Sequence, residues 1–116
     1  MHELGYTQDI LQTVNAAAIN AGATEVKAVY LVIGEARDIV DELFVGCFTH
    51  FAKGTPAQGA AVQIERVPLT VRCKACGRVY PIDIHDEGSL GCAGCGACDY
   101  GLESGMEFRI DRIEVA

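Results

Sequence analysis

Cys73, Cys76, Cys92 and Cys95 form two CxxC pairs with fifteen residues between them, and each pair is followed by glycine. Two such turns brought together offer four soft thiolate donors, the set that a tetrahedral divalent ion takes at metal–sulfur distances of about 2.3 Å. Zinc is the expected ion. In such a turn the residue after the second cysteine adopts a left-handed backbone, so Gly77 and Gly96 are the residue type that the geometry asks for. Cys98 creates an overlapping pair with Cys95, but Asp99 rather than glycine follows it and its loop from Cys76 is longer. Cys92 and Cys95 are therefore assigned as ligands and Cys98 as spare. Disulfides are disfavoured, because MHELGYTQDI has no secretory character and cytosolic thiols stay reduced.

The rest of the composition narrows what such a centre would serve. The chain has 116 residues with 16 acidic and 9 basic side chains, a formal charge of −7. Nucleic-acid binding needs clustered Lys and Arg to release counterions, and here the basic residues are few and scattered. No segment reads as a signal peptide or a membrane span, so a soluble cytoplasmic protein is expected. No Ser/His/Asp or Cys/His nucleophile arrangement is legible, and a closed tetrathiolate has no open coordination position, so catalysis is not expected.

The elements that must position the cysteines follow from apolar spacing. Between Glu3 and Ala21, Leu4, Leu11, Val14, Ala18 and Ala21 recur at helical steps, widened by Ile10 and Ala17, and Gly22 is placed to cap the end. Residues 25–33, EVKAVYLVI, read as a central strand covered on more than one side. Asp38 offers an N-cap to a second helix carrying Val40, Leu43, Phe44, Cys47, Phe48 and Phe51 and closing at Gly54. After the loop GTPAQGA, Val62 and Ile64 alternate with Gln63 and Glu65 in a second strand that Pro68 ends. Residues 69–103 hold the cysteines, with 79–84 as the expected strand. Met106, Phe108 and Ile110 then alternate until the phase slips to Ile113 and Val115, the mark of a bulge near Asp111 or Arg112. The fold expected is α+β: two helices packed on a three-stranded sheet, with an inserted tetracysteine zinc-ribbon domain. The first domain spans 1–68 and 104–116, the ribbon domain 69–103.

The N-terminus is a second place for metal chemistry. The Met1 amine, the amide nitrogen between Met1 and His2 and the His2 imidazole can close fused chelate rings on one ion, with the Glu3 amide as a fourth donor. Square-planar nitrogen sites favour Ni(II) or Cu(II). Spacing alone does not decide between such a site and a histidine that happens to stand second.

MHEL, VYLVIGE at 29–35, KGTPAQGA at 53–60, IERVP at 64–68, CKACG, CAGCG and the closing SGMEFRIDRIEV together resemble the HypA/HybF family of hydrogenase maturation nickel chaperones over essentially the whole chain. The resemblance implies nickel at His2 with nearby backbone nitrogens, and in some descriptions the Met1 amine. It also implies structural zinc at Cys73, Cys76, Cys92 and Cys95, with Ni(II) as transferable cargo. The implied partners are a HypB-type GTPase and the [NiFe] hydrogenase large subunit, and some members also serve urease maturation, which would add urease accessory proteins. CAGC departs from relatives with proline after the first cysteine, and Cys98 is an extra thiol; neither removes a ligand.

Other residues read more plainly. His50 is expected at the border of the second helix's apolar face, Cys47 as a small buried hydrophobe, and His85 in a solvated acidic loop with Asp83, Asp86 and Glu87. The glycines of GTPAQGA lack the GK[ST] ending of a phosphate loop. Two competing functions share the cysteine knot: a rubredoxin-like iron electron-transfer protein and a zinc-ribbon nucleic-acid or adaptor module.

Overall fold

A computed structural model describes residues 2–116, with side chains from Leu4 onward. Helix α1 runs His2–Asn20 and strand β1 Val26–Gly34; helix α2, Asp41–Ala52, leads to β2, Ala61–Val67. Strands β3 (Thr70–Cys73), β4 (Val79–Pro81) and β5 (Tyr100–Ser104) follow, and β6 (Phe108–Val115) closes the chain. Two three-stranded sheets result, ordered β2-β1-β6 and β4-β3-β5. The second is inserted in sequence between two strands of the first. The chain divides into two compact units. One comprises α1 through Val32, Asp38–Glu65 and Arg109–Ala116; the other comprises Ile33–Arg37 and Arg66–Phe108.

In the first unit α1 and α2 pack together. Ile10, Leu11, Val14 and Ala18 form the buried face of α1, and Phe44, Phe48 and Ala52 that of α2. Ala17 and Ala21 lie outside this face, whereas Thr7 is wholly buried within the helix. Gly22 ends α1 at a φ of 72°. Its N–H donates to the Ile19 carbonyl and that of Ala23 to the Ala18 carbonyl, the pair of hydrogen bonds that makes a Schellman cap. Helix α2 begins later than Asp38 predicts. Val40 holds the cap position without a side-chain hydrogen bond, and Asp41 and Glu42 in the first turn supply the negative charge that suits a helix N-terminus.

Strand β1 is buried along almost its whole length, as an inner strand must be. Ala116 and Glu25 bond each other at one end and Gly34 N–H donates to Glu107 at the other, so β1 and β6 run antiparallel. Val26 N–H donates to Pro56 and Glu35 N–H to Val67, so β1 and β2 run in the same direction, with α2 as the crossover. Strand β6 is unbroken, but its half-buried residues pass from Phe108 and Ile110 to Ile113, the slip in phase that the sequence carries.

The second unit contains more strand than expected. Only 79–84 reads as extended from sequence, yet β3 pairs antiparallel with both β4 and β5. Strands β3 and β5, of four and five residues, are too short to show a period of their own. Strand β4 stops at Pro81. Beyond it, Asp83 and Asp86 side chains accept from the His85 and Gly88 amides and Ser89 donates back to Asp83 and Asp86, so local side-chain bonds replace the ladder.

Where β1 and the start of β6 meet, backbone approaches backbone. A Cβ on Gly34 would lie 2.0 Å from the Gly105 carbonyl oxygen, and one on Gly105, whose φ is 120°, would lie 2.7 Å from Leu69 Cα. Around this contact the Ala36 N–H donates to Gly105, Arg37 Nε to Met106 and Arg66 Nη1 to the Gly34 carbonyl. Gly34→Ala must separate two backbones, and it is expected to destabilise the protein by about 3 kcal/mol or more. Gly46→Ala in α2, where a Cβ meets nothing within 4 Å, should stabilise by about 0.5–1 kcal/mol. Urea denaturation of both variants checks the pair; equal effects would contradict this reading of the junction.

Candidate metal centre

The two cysteine turns are built alike. Cys73 N–H donates to Arg78 and Gly77 N–H to Cys73; Cys92 N–H donates to Ala97 and Gly96 N–H to Cys92, at 2.7–2.9 Å throughout. Gly77 and Gly96 have φ of 79° and 74°, and a Cβ at either would meet nothing within 4 Å. Backbone conformation, not crowding, requires glycine there. Each turn also aims three amides at sulfur: Ala75 and Cys76 at Cys73 with Arg78 at Cys76, and Gly94 and Cys95 at Cys92 with Ala97 at Cys95. Such donors stabilise thiolate over thiol.

These turns bring Cys73, Cys76, Cys92 and Cys95 together with all four sulfurs within 4.8 Å of one another. Cys73 Sγ lies 3.5 Å from Cys95 Sγ, and Cys76 Sγ 3.6 Å from Cys92 Sγ. A tetrahedron with metal–sulfur bonds of about 2.3 Å has sulfur–sulfur edges of about 3.8 Å, whereas a disulfide is about 2.0 Å. The spacing fits one tetrahedral ion and no disulfide. Cys98 is exposed and outside this group.

Cys73 and Cys92 are buried and Cys76 and Cys95 exposed. The buried pair joins Val71 and Tyr80 in a small core, with Ile82, Ala97 and Tyr100 packed against it. Tyr80 meets Tyr100 edge-on at 6.3 Å. Half of this core's buried members are candidate ligands, so a metal bound there would couple to the folding of this unit.

Without a cation the four thiols titrate against one another. Burial pushes the Cys92 thiol up, but the Cys95 and Gly94 amides and the Cys76 and Cys95 thiols outweigh it and hold it at about 7. For Cys95 the Ala97 amide lowers the value, yet Cys73, burial, Cys92 and Cys76 together push it up to about 12. The Cys76 amide leads in lowering Cys73. Cys76 is raised: the Arg78 amide opposes the shift, and Cys92, burial and Cys73 cause it.

Several braces were not legible in sequence. Arg72 Nη1 donates to the Gly77 carbonyl at 3.0 Å while Nε and Nη2 reach Glu103, tying the first turn to β5. This exposed pair raises the Arg72 pKa and lowers that of Glu103. Lys74 N–H donates to Asp99, joining the first turn to the segment after the second. The Arg78 side chain lies over the second turn: a Cβ on Gly94 would be 3.2 Å from its guanidinium. Only the four-residue chelate spacing pointed to this region, and it says nothing of which cations support it.

The remaining expected residues scatter. Met1 and the side chains of His2 and Glu3 lie outside the described residues; α1 begins at His2. His50 is exposed, its ring edge-on to Phe51 at 5.2 Å, rather than at a packed border. Cys47 is half-buried, less than a core residue. His85 is exposed in its acidic loop. Among the described residues the cysteine quartet is the one group with metal-ligand geometry.

Two expectations follow. Loading the metal-free protein at pH 7 should release about two protons or more per ion, because Cys76 and Cys95 start as thiols. Affinity should therefore fall as pH falls, a dependence that calorimetry in buffers of different ionisation heat measures. Serine at any of the four positions should lose most of the bound metal, whereas Cys98→Ser should keep it; metal loss in Cys98→Ser would contradict the assignment.

The chain has close counterparts. Residues 1–115 match the family model described as "Hydrogenase/urease nickel incorporation, metallochaperone, hypA". A hydrogenase maturation factor HypA of Dehalococcoides mccartyi (strain ATCC BAA-2266 / KCTC 15142 / 195) is 36% identical over 99% of this chain and 94% of its own. The factor of the same name in Geobacter sp. (strain M21) is 35% identical over 99% of both chains. In fold, the chain is similar to the solution structure of the Ni metallochaperone HypA from Helicobacter pylori, with TM-score 0.66, 21% identity, and 97% and 96% of the two chains covered. A second HypA solution structure matches with TM-score 0.73, 24% identity, and 100% and 97% covered. With a tetracysteine centre of metal-binding geometry and a family match spanning residues 1–115, this chain belongs to the HypA family of nickel-incorporation metallochaperones.

Proposed function

We propose that the chain carries Ni(II) at its N-terminus and delivers it for maturation of [NiFe] hydrogenase, while the cysteine quartet holds zinc for structure. The nickel donors are the Met1 amine, the His2 imidazole and the backbone nitrogens of His2 and Glu3. Family membership is the observation that carries this reading. The start of α1 at His2 supports it, because the first amides of a helix have no intrahelical acceptor. Planar coordination through amides needs them deprotonated, and the positive end of a helix favours that negative charge.

The two sites suit different tasks. Four thiolates fixed by six amide donors make a closed shell, whereas an amine, an imidazole and backbone nitrogens at a chain end can be removed from the ion one at a time. Zinc supplies no chemistry beyond cross-linking its turns. In this reading the protein is not an enzyme and works in the cytoplasm, and no described helix is long and apolar enough to cross a membrane. Residues 1–68 and 104–116 form the nickel-binding domain and 69–103 the zinc-ribbon domain. A HypB-type GTPase and the hydrogenase large subunit are the partners, and urease maturation is a second destination with its own accessory proteins.

Untagged protein should bind one Ni(II), with a planar-site absorption spectrum and an affinity that falls on acidification as amine and imidazole protonate. His2→Ala, or residues added before Met1, should weaken nickel binding by about two orders of magnitude or more while one zinc stays bound. Unchanged nickel affinity in both variants would sink the proposal. A red, redox-active protein as purified would instead favour iron in the quartet.

A further inference from the structure

Helix α2 carries more apolar surface than the described residues cover. Phe44, Phe48 and Ala52 form its buried stripe, but Leu43, Cys47 and Phe51 repeat at four-residue steps one position earlier, with Val40 at the cap in line. Positions one residue apart lie about 100° apart around a helix, so these residues form a second stripe beside the first. Val40, Leu43 and Phe51 are 47%, 57% and 36% exposed, and Cys47 is half-buried between them.

Gly46 gives an independent sign. It is exposed in the helix interior, its φ is not positive, and a Cβ there would meet nothing within 4 Å. Glycine weakens a helix relative to alanine, and nothing among the described residues asks for it here. Its use is on the outside, where a missing side chain lets another backbone come close.

Charge indicates what comes close. Glu42 in the first turn and Asp38, two residues before the Val40 cap, are exposed near the start of this helix, and the whole chain carries −7. A second copy or an anionic lipid surface would bring like charge against it. We propose that the Val40–Phe51 face of α2 docks an amphipathic helix of another protein, with Lys or Arg flanking the apolar residues that meet Asp38 and Glu42. This goes beyond the nickel reading, and either can fail without the other.

The test uses the full-length zinc-loaded chain and a short synthetic Leu/Lys amphipathic helical peptide at physiological salt, followed by amide chemical shifts. Shifts should concentrate at residues 40–51. Leu43→Ser and Gly46→Leu should each weaken binding about tenfold or more, with β1 and ribbon resonances unchanged, while Ile84→Ser, an exposed apolar residue elsewhere, should bind as the parent does. Absence of binding, shifts centred elsewhere, or equal affinity in Leu43→Ser and Ile84→Ser would overturn the proposal. So would sedimentation showing self-association that Leu43→Ser abolishes, which would assign the face to a second copy. Binding to anionic vesicles lost in Leu43→Ser would assign it to lipid.

Discussion

Four thiols within 4.8 Å cannot all ionise unless a cation sits among them, and the second compact unit depends on that constraint. Its sheet has strands of three to five residues, at or below the commonest strand length of about five to six. Two of the four buried residues at its centre are cysteines. The two turns answer the problem in the same way, with left-handed glycines that close them and amides that face the sulfurs. A dication bound there would convert mutual repulsion into a cross-link between segments nineteen residues apart in sequence, Cys73 to Cys92.

The first unit is held by different physics. Apart from Thr7, its buried residues are aliphatic and aromatic, contributed mainly by both helices and by a strand that is nearly all interior. Among the described residues, no group of metal-ligating side chains belongs to that core. That independence is what lets a labile cargo site at the start of α1 be loaded and emptied in our reading, because losing the cargo removes nothing from the core. The exposed second stripe of α2 belongs to this same unit.

Much of this was legible in the residues. Periodicity gave both helices and the strands of the β2-β1-β6 sheet closely, and β2 falls at 61–67 as its alternation implies. The glycine after each CxxC pair selected Cys92 and Cys95 over Cys98, and the same four cysteines converge. Legibility failed where tertiary pairing overrides local pattern. Strands β3 and β5 exist because they pair with each other, not because TVRC or YGLES has a period. The cap at Val40 rather than Asp38 also reflects context, since acidic side chains in the first turn replace a capping bond. Arg72 and Arg78 act through contacts across the ribbon that no spacing encodes.

The central claim is a division of labour: zinc maintains the ribbon and the N-terminus carries nickel. Its most direct test is to load untagged protein with both metals, challenge it with a mild chelator, and follow zinc and nickel content together with ribbon amide resonances. The account predicts that nickel leaves quickly while zinc and the ribbon spectrum persist. Loss of both metals together, or nickel retained by the cysteines after the N-terminus is blocked, would contradict it.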